Sequence, residues 1–298
     1  MSNLENFDDL FVGDPVEIEK NLKELLPEAS ALKNQSTYLQ ILSQIALAQA
    51  VQKNFDSAHT TLNHAEKLLT SKDYLARTRI LLERGRVFMQ SGNNEAARPY
   101  FFESYELGKL HLFDEHTANA AHMIAIVAIT PEEKIEWNSL AIDLAKSSSS
   151  QRAKAWRGSL YNNLGQAYIE AGQYEKALQA LEIALEFRKE EKYPPNIRVA
   201  QWAVARALRL LDKRDEALSI LLPLLEEYTS MEKQDNLDFP REMLPSVRGL
   251  VYEELAELST AESKNYAQLA YKDLSNDDWF KNFGSKRLER LKQLGFNI

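Results

Sequence analysis

Several side chains in the sequence are suited to holding a ligand. Asn162, Asn163 and Gln166 place three amides close together in the chain; because an amide donates and accepts at once, such a group can grip the backbone of an extended peptide whatever its sequence. Arg79, Arg86, Arg206 and Arg209 offer planar forks of N–H donors that fit a carboxylate or a phosphate. Trp202 supplies an apolar anchor of the type that carries interface energy. Asn119 and His122 add a further amide and a ring donor. Catalytic arrangements are missing by comparison, for the sequence contains no glycine-rich phosphate loop, no HExxH and no GxSxG. The histidines are His59, His64, His111, His116 and His122, and none lies three or four residues from another, the spacing that puts two ligands on one helical face. With no cysteine, a disulfide, a thiolate metal site and a cysteine nucleophile are all excluded. Carboxylates are abundant, but on helix surfaces solvated charge is their ordinary role. The chain is therefore expected to bind and not to catalyse, with no cofactor and no metal.

Helices must position these residues. From Tyr161 to Leu185 the chain reads YNNLGQAYIEAGQYEKALQALEIAL, a complete helix-turn-helix unit. Leu164 and Tyr168 lie four apart with Gly165 beside the leucine, which gives one helix a bulky stripe and a notch where another backbone can come close. Ala171-Gly172 ends that helix, as a glycine after a periodic run does. Tyr174 opens a second run in which Ala177, Leu181 and Ala184 form a new apolar stripe. Two such helices cannot bury both stripes alone, so they need copies on either side. A small residue recurs in the notch role at Ala46, Gly85, Ala125, Gly165, Ala205 and Gly249, with gaps of 39, 40, 40, 40 and 44. Twelve residues after each notch stand Ala58, Ala97, Ala177, Ala217 and Ala261, and only the third copy departs, with Trp137.

The pattern resembles the tetratricopeptide repeat family, whose Leu-Gly, aromatic, Gly, aromatic, Ala and Ala are met by Leu164, Gly165, Tyr168, Gly172, Tyr174, Ala177 and Ala184. The resemblance covers residues 36–275. It is specific in the fourth copy, fair in the second (Gly85, Phe88, Gly92, Ala97, Phe101) and the first (Phe55, Ala58, Ala65), and degenerate in the others. The spacing between copies is longer than the family's usual period of about 34 residues. The resemblance implies an all-α fold, a right-handed α-α superhelix or solenoid of about six helix pairs, expected at 36–70, 73–111, 114–146, 150–191, 194–230 and 239–275. Asp14-Pro15 starts a capping helix over 14–31 that Pro27 is expected to interrupt. Thr130-Pro131-Glu132-Glu133 is a capping box for the third pair's second helix. Residues 276–298 form a C-terminal cap, with Leu288, Leu291 and Leu294 toward the last repeat and Lys286, Arg287, Arg290 and Lys292 toward water or, alternatively, an acidic partner. Residues 1–13 read as a mobile acidic tail, and 14–298 as a single domain.

Composition agrees. Glycine and proline number only 10 and 9 in 298 residues, which suits helices. A formal charge of −8 argues against a nucleic-acid surface. No apolar run approaches the length of a membrane span and no leader pattern opens the chain, so a cytoplasmic protein without membrane contact is expected.

In the resembled family the first helix of each pair faces the concave side. Projecting those helices at about 100° per residue places Gln40, Ser43, Gln44 and Leu47 of the first copy toward a groove, then Arg79, Leu82 and Arg86, then Asn119, His122 and Ile126. Ser159, Asn162, Asn163 and Gln166 of the fourth copy and Trp202, Arg206 and Arg209 of the fifth complete the set, with acidic residues nearly absent until Glu253. The expected ligand groove is Arg79, Arg86, Asn119, His122, Asn162, Asn163, Gln166, Trp202, Arg206 and Arg209. Its expected partner is a protein or peptide segment, extended and acidic. Asn163 matches an asparagine of the family's carboxylate-clamp members, but the accompanying lysines are not matched, so that specificity is not carried over. The plainer alternative is that these arginines pair with neighbouring glutamates, as Arg79 could with Glu83. A regulator acting through a separate effector and self-assembly as a homodimer are the rival functions. A further alternative is that Phe7, Asp8, Asp9, Leu10 and Phe11 of the tail occupy the groove themselves or that of a second copy.

Overall fold

The structure, a computed structural model, describes residues 4, 7–11, 13–235, 237–277, 280–281 and 284–296. Among the described residues there are fifteen α-helices and no strand. They are α1 (Pro15–Ala31), α2 (Gln35–Val51), α3 (Phe55–Leu68), α4 (Tyr74–Gln90), α5 (Asn94–Leu110), α6 (Asp114–Ile126), α7 (Pro131–Ser147), α8 (Gln151–Ala155), α9 (Arg157–Glu170), α10 (Tyr174–Glu191), α11 (Pro194–Leu210), α12 (Arg214–Met231), α13 (Leu244–Leu258), α14 (Ser263–Leu274) and α15 (Ser285–Phe296). Two 3-10 turns, Phe7–Leu10 and Arg241–Met243, supplement them. The expected pairs are thus present as α2–α3, α4–α5, α6–α7, α9–α10, α11–α12 and α13–α14. No described helix is long and apolar enough to cross a membrane.

Local signals set the ends. Asp14 accepts hydrogen bonds from the Val16 and Glu17 amides at 2.8 and 3.2 Å, capping α1. Thr130 accepts from the Glu133 amide at 3.2 Å, while the Glu133 carboxylate reaches back to the Ile129 amide. The turn between paired helices is the same in several copies. One residue adopts a left-handed conformation and the amide after it bonds five residues back, as Gln173 does to Tyr168 at 2.9 Å. Gly92 and Gly172 take that conformation without strain, at φ 85° and 71°. Lys53 and Asp212 take it in the first and fifth pairs at φ 62° and 59°, and Leu112 takes it between the second and third pairs at φ 57°. The turn therefore recurs where its glycine does not.

The notches do what their small size permits. A Cβ on Gly165 would stand 2.5 Å from Leu181 Cγ, and one on Gly85 would stand 2.4 Å from the Phe101 ring, so each glycine lets a large side chain of the partner helix seat against bare backbone. Leu181 and Phe101 are fully buried in consequence. In the third pair Trp137 meets Phe102 and Tyr105 edge-on, with ring centroids 5.3 and 5.1 Å away, filling the space an alanine leaves elsewhere. Ala261 does not take the expected role. It is exposed in the turn before α14, and the fully buried Ala267 and Ala270 pack that helix.

The chain divides into two compact units, residues 1–157 and 158–298, where the sequence suggests one continuous domain. In the first unit, α1 to α4 share a core of Leu22, Leu39, Ile41, Ile45, Leu62 and Ile80. Pro27 lies inside α1 rather than breaking it, on the exposed side, where water can replace the hydrogen bond that proline forfeits. The tail is not free over its described part, because Leu4 and Phe7 are buried in this same core. In the second unit, α10 to α13 pack around Leu208, Leu221, Leu224, Val251 and Leu255, and α15 closes the end with Leu291 and Leu288. The α15 cations tie it down, for Arg287 pairs with Glu253 and Arg290 with Glu257.

Candidate binding site

The predicted residues fall into two groups, one per unit. In the first unit, α4 presents Arg79, Leu82, Glu83 and Arg86, with α2 on one side and α6 on the other. They line a cavity of about 440 Å³ that also takes in Gln44, Glu115, His116, Asn119, Arg152 and Trp156. Arg86 NH1 donates to both Glu83 oxygens at 3.0 and 3.1 Å, and its NH2 donates to Asn119 Oδ1 at 2.7 Å. Gln44 Nε2 donates to the same Glu83. The local pair suggested for Arg79 and Glu83 does not form. Arg79 instead reaches residue 8, donating through NH1 to Asp8 Oδ2 at 3.0 Å and through NH2 to the other oxygen, while its guanidinium lies 4.9 Å over the Phe7 ring. Arg152 NH1 approaches the same Asp8 Oδ2 at 3.1 Å.

The electrostatics follow from this crowding. Burial pushes the Asp8 carboxyl up, but the Arg79 hydrogen bond and the charges of Arg79 and Arg152 outweigh it and hold the group below the usual range. His116 is lowered to about 4, first by burial and then by Arg79, against the opposing pull of Asp8. His122 is also lowered to about 4, by burial and by Arg86. Both rings are thus neutral at physiological pH. A second cavity of about 450 Å³ is lined by Leu4, Phe7, Leu32, Asn34, Thr37 and Gln40 together with Asp8, Arg79, Glu115, His116 and Arg152. Because the two cavities share those last five residues, Asp8 and its arginines form the partition between them.

In the second unit, α11 presents Trp202, Arg206 and Arg209. Trp202 Nε1 donates to the Leu250 carbonyl at 3.1 Å, and Arg206 lies 5.7 Å over the indole. Arg209 donates through Nε to Glu254, and Arg206 Nε stands 3.6 Å from the other Glu254 oxygen, too long for a hydrogen bond. Arg206 NH1 touches Gln166 Oε1 at 3.4 Å, and its buried Nε makes no hydrogen bond among the described residues. Burial raises the Glu254 carboxyl above its usual value despite Arg209 and Arg206, and burial with the nearby Arg287 lowers Arg206 despite Glu254. Asn162 and Asn163 are half-buried on α9 beside this group.

The structure therefore joins Arg79, Arg86 and Asn119 in one place and Gln166, Trp202, Arg206 and Arg209 in another. The expectation that carboxylates are nearly absent does not hold, since Asp8, Glu83, Glu115 and Glu254 all sit among these arginines. Asp8 enters the first group as the tail alternative suggested, while sequence reasoning missed His116, Arg152 and Trp156. His116 lies a turn before the projected stretch of α6, and Arg152 and Trp156 belong to or border α8, a short helix ahead of the projected stretch of the fourth pair. Among the described residues no cluster of histidine, aspartate or glutamate could hold a metal ion.

Paired antiparallel helices with notched first members and a ligand-type surface on those first members define a helical-repeat binding fold. Residues 156–225 match a family model described as tetratricopeptide repeat. Among solved structures it is similar to BtubC (BKLC) from P. vanneervenii, with a TM-score of 0.63 and 15% identity over 77% of this chain and 96% of that one. It is similar to the apo form of RapI, with a TM-score of 0.66 and 13% identity over 99% of this chain and 79% of that one. It is similar also to NprR in complex with its cognate peptide NprX, with a TM-score of 0.58 and 17% identity over 98% and 83% of the two chains. At such identities the likeness is one of fold. No curated protein matches the chain in sequence.

Proposed function

We propose that this chain is a non-catalytic scaffold that binds an extended, anionic protein or peptide segment through the arginine, amide and tryptophan side chains of its first helices. The observation that carries the proposal is the carboxylate of Asp8, received between Arg79 and Arg152 on that surface. An arginine fork meeting a carboxylate in a half-desolvated setting is the strong form of such a contact. In the second unit, Arg206, a quarter exposed, lies over the Trp202 ring and reaches Gln166, which offers a cation beside an apolar ring and an amide. The likeness to NprR, whose structure holds its cognate peptide, supports a peptide as the ligand type.

A second reading, a peptide-responsive regulator that works through a separate effector, is favoured by the likeness to the apo form of the quorum sensor NprR from B. thuringiensis. Both readings place a peptide on the same residues.

The test is retention of the purified full-length chain on immobilised peptides of graded charge, compared with Arg206→Gln and with an Arg86, Asn163, Arg206 triple substitution shown to be folded by circular dichroism. Retention concentrated on acidic peptides and reduced at least about tenfold by Arg206→Gln is expected, since a charge-assisted hydrogen bond contributes roughly 1.5–3 kcal/mol. Equal retention on neutral or basic peptides, or no effect of the triple substitution, rejects the proposal.

A further inference from the structure

Residues 7–11 hold the first unit's arginines in a way that describes a ligand. Phe7 is buried, 7% exposed, with the Arg79 guanidinium over its ring, and the next residue turns its carboxylate to Arg79 and Arg152. An aromatic ring and a carboxylate on successive residues are thus read by one arginine, through its face and through its edge. The segment that does this is a single 3-10 turn of four residues, with Asp9 exposed and Leu10 and Phe11 half-buried. On either side of its Asp8 lie the two cavities of about 440 and 450 Å³, so the surface has room for more than the residues that fill it here. The charge balance points the same way. The first cavity is lined by Arg79, Arg86 and Arg152 against Asp8, Asp9, Glu83 and Glu115; without the two tail aspartates the arginines are in excess.

From this we infer that the surface under residues 7–11 is a docking site for a partner segment carrying an aromatic residue immediately followed by aspartate, and that the chain's own Phe7-Asp8 is its resident occupant, which the partner must replace. The inference rests on the proposed binding function and adds the partner's motif and its regulation. An intramolecular segment acts at an effective concentration of order millimolar, so the tail sets a threshold that only a longer or better-matched segment passes. The Arg152 contact is the yielding one, since that side chain is 50% exposed and an ion pair there is weak.

The experiment uses the full-length chain and a fluorescein-labelled peptide copying residues 4–11, followed by anisotropy. Wild type is expected to bind it weakly, and a Phe7→Ala/Asp8→Asn chain at least tenfold more tightly. The same peptide with asparagine in place of its first aspartate should lose that gain, as should addition of Arg79→Gln to the double variant. A bimane on Asp9→Cys, in the cavity that Trp156 also lines, reports displacement in a chain whose tail is otherwise intact. Its fluorescence should change on addition of peptide and be independent of protein concentration. A double variant that is folded by circular dichroism yet binds no more tightly than wild type overturns the inference, as does a bimane signal that saturating peptide leaves unchanged. A bimane signal that varies with protein concentration alone overturns it in favour of exchange of the tail between two copies. If these fail while acidic peptides still require Arg206, the docking motif is wrong and the scaffold function stands.

Discussion

Gly165→Ala adds one methyl group at the place where α9 and α10 come closest. The new Cβ would lie 2.5 Å from Leu181 Cγ, 2.6 Å from its Cδ2 and 3.3 Å from the Ala177 carbonyl oxygen. Carbon atoms rest at about 3.5–4.0 Å, so Leu181 has to retreat by about 1 Å. It cannot do so freely, because it is fully buried in the second unit's core. Overpacking of this kind costs about 1–3 kcal/mol, and the helix preference of alanine over glycine returns at most about 1 kcal/mol. A net loss of about 1–2 kcal/mol is expected, read as a lower midpoint in urea denaturation followed by circular dichroism. Leu181→Ala alone should cost about 2–5 kcal/mol by leaving a cavity. In the double variant the added methyl enters that cavity, so the two losses should fall short of adding by about 1–2 kcal/mol. A Gly165→Ala chain as stable as wild type, or a double variant whose losses simply add, would refute the notch as the determinant of helix approach.

The same notch explains how much of the fold is legible in the sequence. Period and residue size depend on contacts between consecutive helices, and these recur within each copy, so the six pairs and most of their ends can be placed from sequence. The Asp14 and Thr130 caps are legible for the same local reason. The partners of the arginines are not, because they lie far along the chain. Asp8 is 71 residues from Arg79, and Glu254 is 45 from Arg209. No periodicity links such residues. Projection of single helices therefore finds the cations and overlooks the carboxylates that meet them, and it cannot anticipate α8, which no repeat demands.

Two further outcomes are expected. His116 and His122 have folded pKa values near 4 against an ordinary 6.5, so the unfolded chain binds more protons between those values, and the stability present above pH 6.5 is lost as pH falls toward 4. Each ring should remove about 2 kcal/mol between pH 7 and 5. Arg79, Arg86, Arg152 and Asp8 face His116, Arg86 faces His122, and Glu254, whose pKa is raised, works in the opposite direction; the readout is therefore the difference in denaturation free energy between wild type and His116→Asn/His122→Asn, and parallel pH curves would sink the assignment. Glu254→Gln leaves Arg206 and Arg209 without their buried counter-charge and should destabilise the chain by about 3 kcal/mol in the same denaturation assay; an unchanged midpoint would mean that Glu254 is already protonated.

The left-handed turns carry a consequence for which residues such an array accepts at its bends. Lys53, Leu112 and Asp212 hold the conformation that Gly92 and Gly172 hold, although a side chain there costs roughly 1 kcal/mol. Packing of the helices on either side enforces the bend, so the turn does not depend on glycine. The architecture is in that sense redundantly encoded: each bend is specified by its neighbours as well as by its own residue. Between residues 156 and 225, where the family's model matches, one such turn holds Gly172 and another Asp212, and both follow the same backbone path.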